Sequence, residues 1–175
     1  MADDLTLSIK TTAEMTSTEL WEVFQERVKV FVVEQNCPYQ EVDEKDQNAR
    51  HVMIKRNGRL VAYARIVPHD DPNYISFGRV LVVKEFRGQH LAQRLVQVTL
   101  DEIKRVAGIR PVKIAAQSYL QNFYAQFGFK PVSDVYLEDN IPHLDMVLDD
   151  RKFVKCFTKV LRKVPKKRYS IGVKC

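Results

Sequence analysis

Arg87-Gly88-Gln89-His90-Leu91-Ala92 is the stretch of this chain whose residue types and order could do chemistry. It follows a short apolar run, Val80-Leu81-Val82-Val83, and leads into Leu91, Leu95, Val98 and Ile103 at helical spacing. A strand that turns abruptly into a helix leaves the first helical N–H groups unpaired beside the positive end of the helix dipole. Arg87 adds a fixed positive charge, and Gly88 lets the backbone approach a ligand with no Cβ in the way. Such a turn can hold a diphosphate; the plainer reading is a strand–helix connection with a glycine turn. It is not a phosphate loop ending in Gly-Lys-Ser/Thr, because the second glycine and the Lys-Ser/Thr pair are missing. Nor is it the Gly-x-Gly-x-x-Gly dinucleotide fingerprint.

A second stretch runs from Gln117 to Pro131. Leu120, Phe123, Tyr124 and Phe127 share a helical face that would be core in any protein, and Tyr124 read alone is a core-edge tyrosine. Upstream, Glu41, Asp43, Glu44 and Asp46 crowd one loop. They form either an acidic surface for a cationic substrate or a solvated loop, and their spacing lacks the Asp/Asn-Gly pattern of a calcium loop. Cys37 has no identifiable activating partner for a nucleophilic role. The four His and three Cys show no ligand spacing, so no metal site is expected.

Taken in order, the two stretches resemble the paired motifs of the GNAT N-acetyltransferases. The first is similar to motif A, Arg/Gln-x-x-Gly-x-Gly/Ala at the start of the acetyl-CoA-binding helix: Arg87, Gly88 and Ala92 match, while His90 stands at the central Gly position. The second is similar to motif B, Tyr-x-x-x-Gly-Phe, which Tyr124, Gly128 and Phe129 match without gaps. The segment Val30 to Asp43, then His51, Ala64-Arg65, Arg79-Val80 and Glu138 to His143 with Met146, resemble the ElaA branch of that family. Asn140 replaces that branch's usual Gly and tolerates positive φ. The resemblance covers about residues 5–149.

The resemblance implies an enzyme that moves an acetyl group from its cosubstrate acetyl-CoA to a primary amine, by direct attack in a ternary complex. The acceptor would be a small molecule, a polyamine, or a protein lysine or N-terminus. Such transfer needs the thioester held beside the amine, a base for the amine proton and a proton for the leaving thiolate. By resemblance Tyr124 is the general acid; with reference pKa values of about 10 for tyrosine and about 8.5 for a thiol, its hydroxyl can assist sulfur without full transfer. Backbone groups of Leu81, Val82 and Val83 would pair with the pantetheine arm as an added strand, entering where the family's sheet splays. Arg87, Gly88, Gln89, His90, Leu91 and Ala92 would hold the diphosphate. Gln117 falls where many relatives carry a cofactor-contacting Asn, and Asn122 is a further candidate. Base or acceptor-site candidates are Glu34, Glu41, Asp43, His51, Glu138 and His143, a His being suited by its near-neutral pKa. The alternatives are an acyl-CoA-binding regulatory protein with weak or no transferase activity, and a nucleic-acid-associated module using the basic tail. A homodimer stays open.

The elements that must position these residues follow from patterning. Leu5 to Ile9 alternates as a strand, and Thr16-Ser-Thr-Glu19 is a capping box before a helix over about 17–35. Trp21, Phe24, Val28 and Phe31 are read as its apolar face, and Asn36-Cys37-Pro38 as its end. Asn57-Gly58 joins two strands as a hairpin; Tyr74 to Val83 is a third. The central helix ends at Gly108, Val112 to Ala116 is a strand, and Ser118 to Phe127 is a short helix stopped by Gly128. Val132 to Leu137 and Leu144 to Leu148 complete the order. That order predicts an α/β (α+β) fold: a mixed, mostly antiparallel central sheet with helices on both faces, as in the GNAT fold.

At 175 residues the chain suits one domain, residues 1–150, with a basic extension, residues 151–175. The net charge of +6 conceals two parts: the extension carries ten Lys/Arg and no Asp/Glu, whereas the rest has 18 Lys/Arg against 22 Asp/Glu. An apolar stripe of Phe153, Phe157, Val160 and Leu161 in the extension is expected to dock as a helix; lacking an aromatic ladder, it argues against nucleic acid as a partner. No membrane span or secretory signal is read, and three widely spaced cysteines suit a cytoplasmic protein.

Overall fold

The structure, a computed structural model, describes residues 4–149; the basic extension and its apolar stripe lie outside them. Eight strands form one sheet in the order β1-β2-β3-β4-β5-β8-β6, with β7 paired to β8. They are β1 (Leu5–Thr11), β2 (Arg50–Arg56), β3 (Arg59–Pro68), β4 (Ile75–Val82), β5 (Val112–Gln117), β6 (Lys130–Pro131), β7 (Tyr136–Glu138) and β8 (Ile141–Leu148). Every pairing is antiparallel except β4 with β5. The predicted mixed, mostly antiparallel α/β sheet is therefore present.

Three helices flank it: α1 (Ser17–Arg27), α2 (Leu91–Ala107) and α3 (Gln121–Ala125). Thr16 caps α1 and Glu19 returns the bond to the Thr16 N–H, as the capping box predicts. α1 continues as a π-helical segment, Val28–Glu34, so the expected helix divides in two. Asn57 and Gly58 both take positive φ, the conformation of a two-residue hairpin turn, between β2 and β3.

Side-chain alternation divides the core. Val52, Ile54, Ala62, Ala64 and Phe77 meet Leu91, Leu95, Val96 and Ile103 of α2 on one face. Met53, Tyr63, Leu81 and Val83 meet Val23 and Val30 on the other. This packing keeps half of the face expected for α1, Phe24 and Phe31, which lie against the second cluster, and corrects the other half. Trp21 is 63% exposed and Val28 is exposed as well, while Val23, Arg27 and Val30 are buried. The apolar pattern gives Arg27 no role, yet its side chain turns inward and is fully buried.

The strand expected over Val132 to Leu137 is broken. Lys130 pairs with Val147 and Tyr136 with His143, so residues 132–135 face only Leu144 and Asp145. Ser133 supplies the reason: its Oγ accepts the Asp145 N–H at 2.8 Å, where a strand would offer a backbone carbonyl. Downstream, Asp139 and Asn140 both take positive φ and make a tight β7–β8 turn, so Asn140 performs the turn expected of glycine.

Candidate active site

The parallel strands β4 and β5 are joined at one residue pair, Ile75 with Val112. Beyond it they part, and the gap widens into a cleft of about 760 Å³. Phe77, Gly78, Arg79 and Val80 line one wall, and Ile114 to Gln117 with Tyr124 line the other. The π-helical segment and the β7–β8 turn close it with Glu34, Gln35, Cys37, Glu138, Asp139 and His143.

At one end lies a second hollow of about 380 Å³, lined by Val82, Phe86, Arg87, Gly88, His90, Leu91, Ala92 and Phe123. This is the turn expected to hold a diphosphate. Gly88 has φ 77°, and His90, the residue preceding α2, sits in the left-handed region at φ 57°. The backbone at position 90 therefore asks for a residue that tolerates αL, which histidine does better than most. Arg87 is occupied: its Nε donates to the Val82 carbonyl at 3.0 Å and its Nη2 to Glu34 Oε2 at 2.8 Å. Gln89 is turned away, its Oε1 accepting from Arg56 Nη1 at 2.9 Å.

Of the three residues expected to pair with a pantetheine arm, Val82 alone turns its backbone away from β3. The Val83 N–H donates to the Val61 carbonyl at 2.9 Å, so alternation turns the backbone of Leu81 and Val83 toward β3 and that of Val82 toward the gap. Leu81 and Val83 are also buried in the α1-side core. Their assignment is corrected accordingly.

Tyr124 of α3 is 6% exposed, meets Phe123 and Phe129 edge to face, and lies tilted against Phe77. Its hydroxyl has no hydrogen-bond partner among the described residues. Burial, with the nearby Tyr119, pushes the phenol well above its ordinary value near 10, so it stays protonated as a donor in the cleft wall. Gln117 ends β5 and donates from Nε2 to Gln35 Oε1 at 3.2 Å, spanning the cleft with an amide that could turn to a ligand. Asn122 is exposed on α3 and lines neither hollow, so the fold does not bring it to the cofactor path.

The base candidates separate clearly. His51 is buried in β2, held by Thr12 Oγ1 at 2.9 Å and the Tyr63 hydroxyl at 2.7 Å, and lies outside the cleft lining. Burial, opposed by Asp46 but aided by Arg27 and Arg65, lowers its pKa to about 4. That placement removes it as a base. Glu41 is enclosed by Arg27 and Arg79, and Asp43 is paired with Arg65 at 2.7 Å. Glu34, Glu138 and His143 remain on the cleft. The Nδ1 of His143 donates to the Ile141 carbonyl at 2.8 Å. In the neutral ring this leaves the Nε2 lone pair free.

Sequence reasoning missed Arg27 and named Arg65 and Arg79 only as marks of resemblance, with no role. Glu44 of the acidic loop is exposed, but its other three carboxylates are neither a solvated surface nor a cation trap: Arg27 binds Glu41 and Asp46, Arg65 binds Asp43 and Asp46, and Arg79 binds Glu41. Asp46 illustrates the balance. Burial raises its carboxyl, but the bonds and charge of Arg27, with Arg65, outweigh that and hold it at about 2. Three cations facing three anions lock residues 36–48 against the sheet and build one cleft wall. Arg79 reaches Glu41 from the β4 bulge, at φ 53°. The signal available in sequence was an arginine within the apolar face of α1. Among the described residues no group of three or more His, Cys, Asp or Glu is placed to hold a metal, and no helix is long and apolar enough to cross a membrane.

Comparison with known proteins agrees with this geometry. The acetyltransferase (GNAT) domain model matches residues 12–149. ElaA of Escherichia coli is 44% identical over 137 residues, covering 77% of this chain and 90% of that protein. Its crystal structure superposes with a TM-score of 0.79 at 40% identity, covering 83% of this chain and all of that one. An acyl-CoA N-acyltransferase from Pseudomonas aeruginosa superposes at 0.78 with 41% identity, covering 82% of this chain and 99% of that one. With its split sheet and these relatives, the chain belongs to the GNAT acetyltransferases, in the ElaA-like branch.

Proposed function

We propose that this protein is an acetyl-CoA-dependent N-acetyltransferase acting on a primary amine. The carrying observation is the parting of β4 and β5 beyond Ile75 and Val112, with the Arg87 turn at one end of the gap and Tyr124 in its wall. A pantetheine arm entering there would meet the Val82 backbone edge, with its diphosphate against Arg87, Gly88 and the N-terminus of α2. Gln117, in the cleft wall at the end of β5, would hydrogen-bond the arm.

In this reading the amine attacks the thioester carbonyl, the C–N bond forms, and the C–S bond breaks as Tyr124 donates a hydrogen bond or proton to the departing sulfur. His143 Nε2 takes the amine proton, directly or through water. Direct attack fits the surroundings of Cys37, whose thiol donates to the Asp139 carbonyl at 3.4 Å and so has no activating base as its partner. Glu138 and Asp139 on the rim favour a cationic acceptor.

The test is the melting temperature with acetyl-CoA, with ADP and dephospho-CoA as comparators. Ligand at about a hundred times its Kd adds about 2.7 kcal/mol, several degrees for this size. The expected result is a larger shift with acetyl-CoA than with either fragment, followed by amine-dependent release of free thiol. No shift at saturation overturns the reading.

A further inference from the structure

We infer that Glu34 is a rival of the cofactor diphosphate for Arg87, so that cofactor entry exchanges one anion for another and frees the Glu34 carboxylate inside the cleft. The inference rests on reading the cleft as an acyl-CoA site, and it adds a coupling between the cofactor end and the acceptor end.

Two bonds of one side chain carry the argument. Arg87 Nη2 donates to Glu34 Oε2 at 2.8 Å, and Arg87 Nε donates to the Val82 carbonyl at 3.0 Å. Arg87 is the fixed charge of the diphosphate turn, and Val82 is the strand residue whose backbone faces the gap. The same guanidinium therefore covers both groups that an acyl-CoA would contact first. A diphosphate brought to this turn meets a carboxylate already paired there, and two anions cannot share the guanidinium without mutual repulsion.

The position of Glu34 gives the exchange a consequence. It is the last residue of the π-helical segment Val28–Glu34 and lines the main cleft. Its neighbours reach the other walls: Gln35 meets the Gln117 amide and Cys37 meets the Asp139 carbonyl. Residues 34–37 thus strap the cleft at three points, and Glu34 holds the one that contains a formal ion pair. Once Arg87 turns to a diphosphate, Glu34 offers a negative charge to an incoming ammonium. Cofactor then precedes acceptor, and the two bind with positive coupling.

The experiment is calorimetric titration of CoA, and separately of pantetheine, into the wild type, Glu34→Gln, Arg87→Ala and the double variant. Removing the rival carboxylate is expected to tighten CoA binding about three- to fivefold, the range of an exposed ion pair. It should leave pantetheine, which lacks the diphosphate, unchanged, and the gain should vanish in the Arg87→Ala background. Equal or weaker CoA binding by Glu34→Gln overturns the exchange while leaving the cofactor reading intact. So does an equal gain for pantetheine, or a gain that persists without Arg87. Absence of CoA binding in the wild type and every variant overturns the cofactor reading itself, and the exchange with it.

Discussion

Arg27 Nη1 lies 2.7 Å from Asp46 Oδ1, and the Arg27 side chain is fully shut from water. That contact ties the end of α1 to the loop that walls the cleft, and the guanidinium also stacks over Phe24 and Tyr63. The pair is a requirement of the fold more than a source of net stability, because burying both charges has its own desolvation cost. What matters is the penalty for leaving one of them alone.

Arg27→Met is therefore expected to destabilise the domain by about 3–5 kcal/mol, since Glu41 and Asp46 lose a shared buried partner. Urea unfolding with an unchanged slope would measure it. A loss below about 1 kcal/mol would show that Arg65 and Arg79 suffice to hold the loop.

Tyr124→Phe removes one oxygen from an otherwise retained aromatic contact with Phe77 and Phe129. The variant should fold normally and bind CoA within about twofold of the wild type, while kcat falls about a hundredfold, the scale of a lost general acid. Steady-state kinetics beside calorimetry separate the two effects. Unchanged kcat would take the acid assignment away from Tyr124.

His90→Gly replaces a side chain held at φ 57° by the residue that takes this conformation freely. It should raise stability by up to about 1 kcal/mol, lessened by the entropy that glycine adds to the unfolded chain. CoA affinity should be kept or improved, because the diphosphate gains a closer approach to the backbone. A large loss of affinity, read by titration, would instead make the imidazole a phosphate ligand.

His51 makes stability depend on pH. In the unfolded chain it titrates near 6.5, whereas in the fold burial, against the pull of Asp46, holds it at about 4. Between those values the unfolded state binds a proton that the folded state does not, so stability falls as pH is lowered from about 6.5 to about 4. Asp46 adds a further loss below its ordinary 3.8, toward 2, where its depressed carboxyl protonates at last. Melting temperatures between pH 7.5 and 4.5 should show a steeper decline for the wild type than for His51→Gln. Equal slopes would refute the assignment.

The elements legible in the sequence are those whose cause is local. Thr16 and Glu19 cap α1 within one turn, Asn57 and Gly58 supply the two positive φ values of a hairpin, and the apolar spacing from Leu91 to Ile103 makes α2. Tyr124 and the Arg87 turn were legible for a related reason. Each lies in a contiguous motif, and the intervening helix and strand return the two motifs to one cleft.

Tertiary structure alone decided the rest, because it depends on partners far away in the chain. Arg27 turns inward only because Glu41 and Asp46 fold back to meet it, which adds a charged residue to the buried face that α1 shares with Phe24 and Phe31. His51 leaves the list of bases because β1 and β3 bury it between Thr12 and Tyr63. Leu81 and Val83 turn away from the gap between β4 and β5 because pairing with β3 claims their side of the strand, and Asn122 faces out because α3 aims Tyr124 inward. The pairing of Arg87 with Glu34 has no trace in the residue pattern, since a helix end and a strand–helix turn must first be brought to the same mouth of the cleft. Local residue chemistry determined the pieces; long-range burial and charge pairing decided which side chains face the cleft.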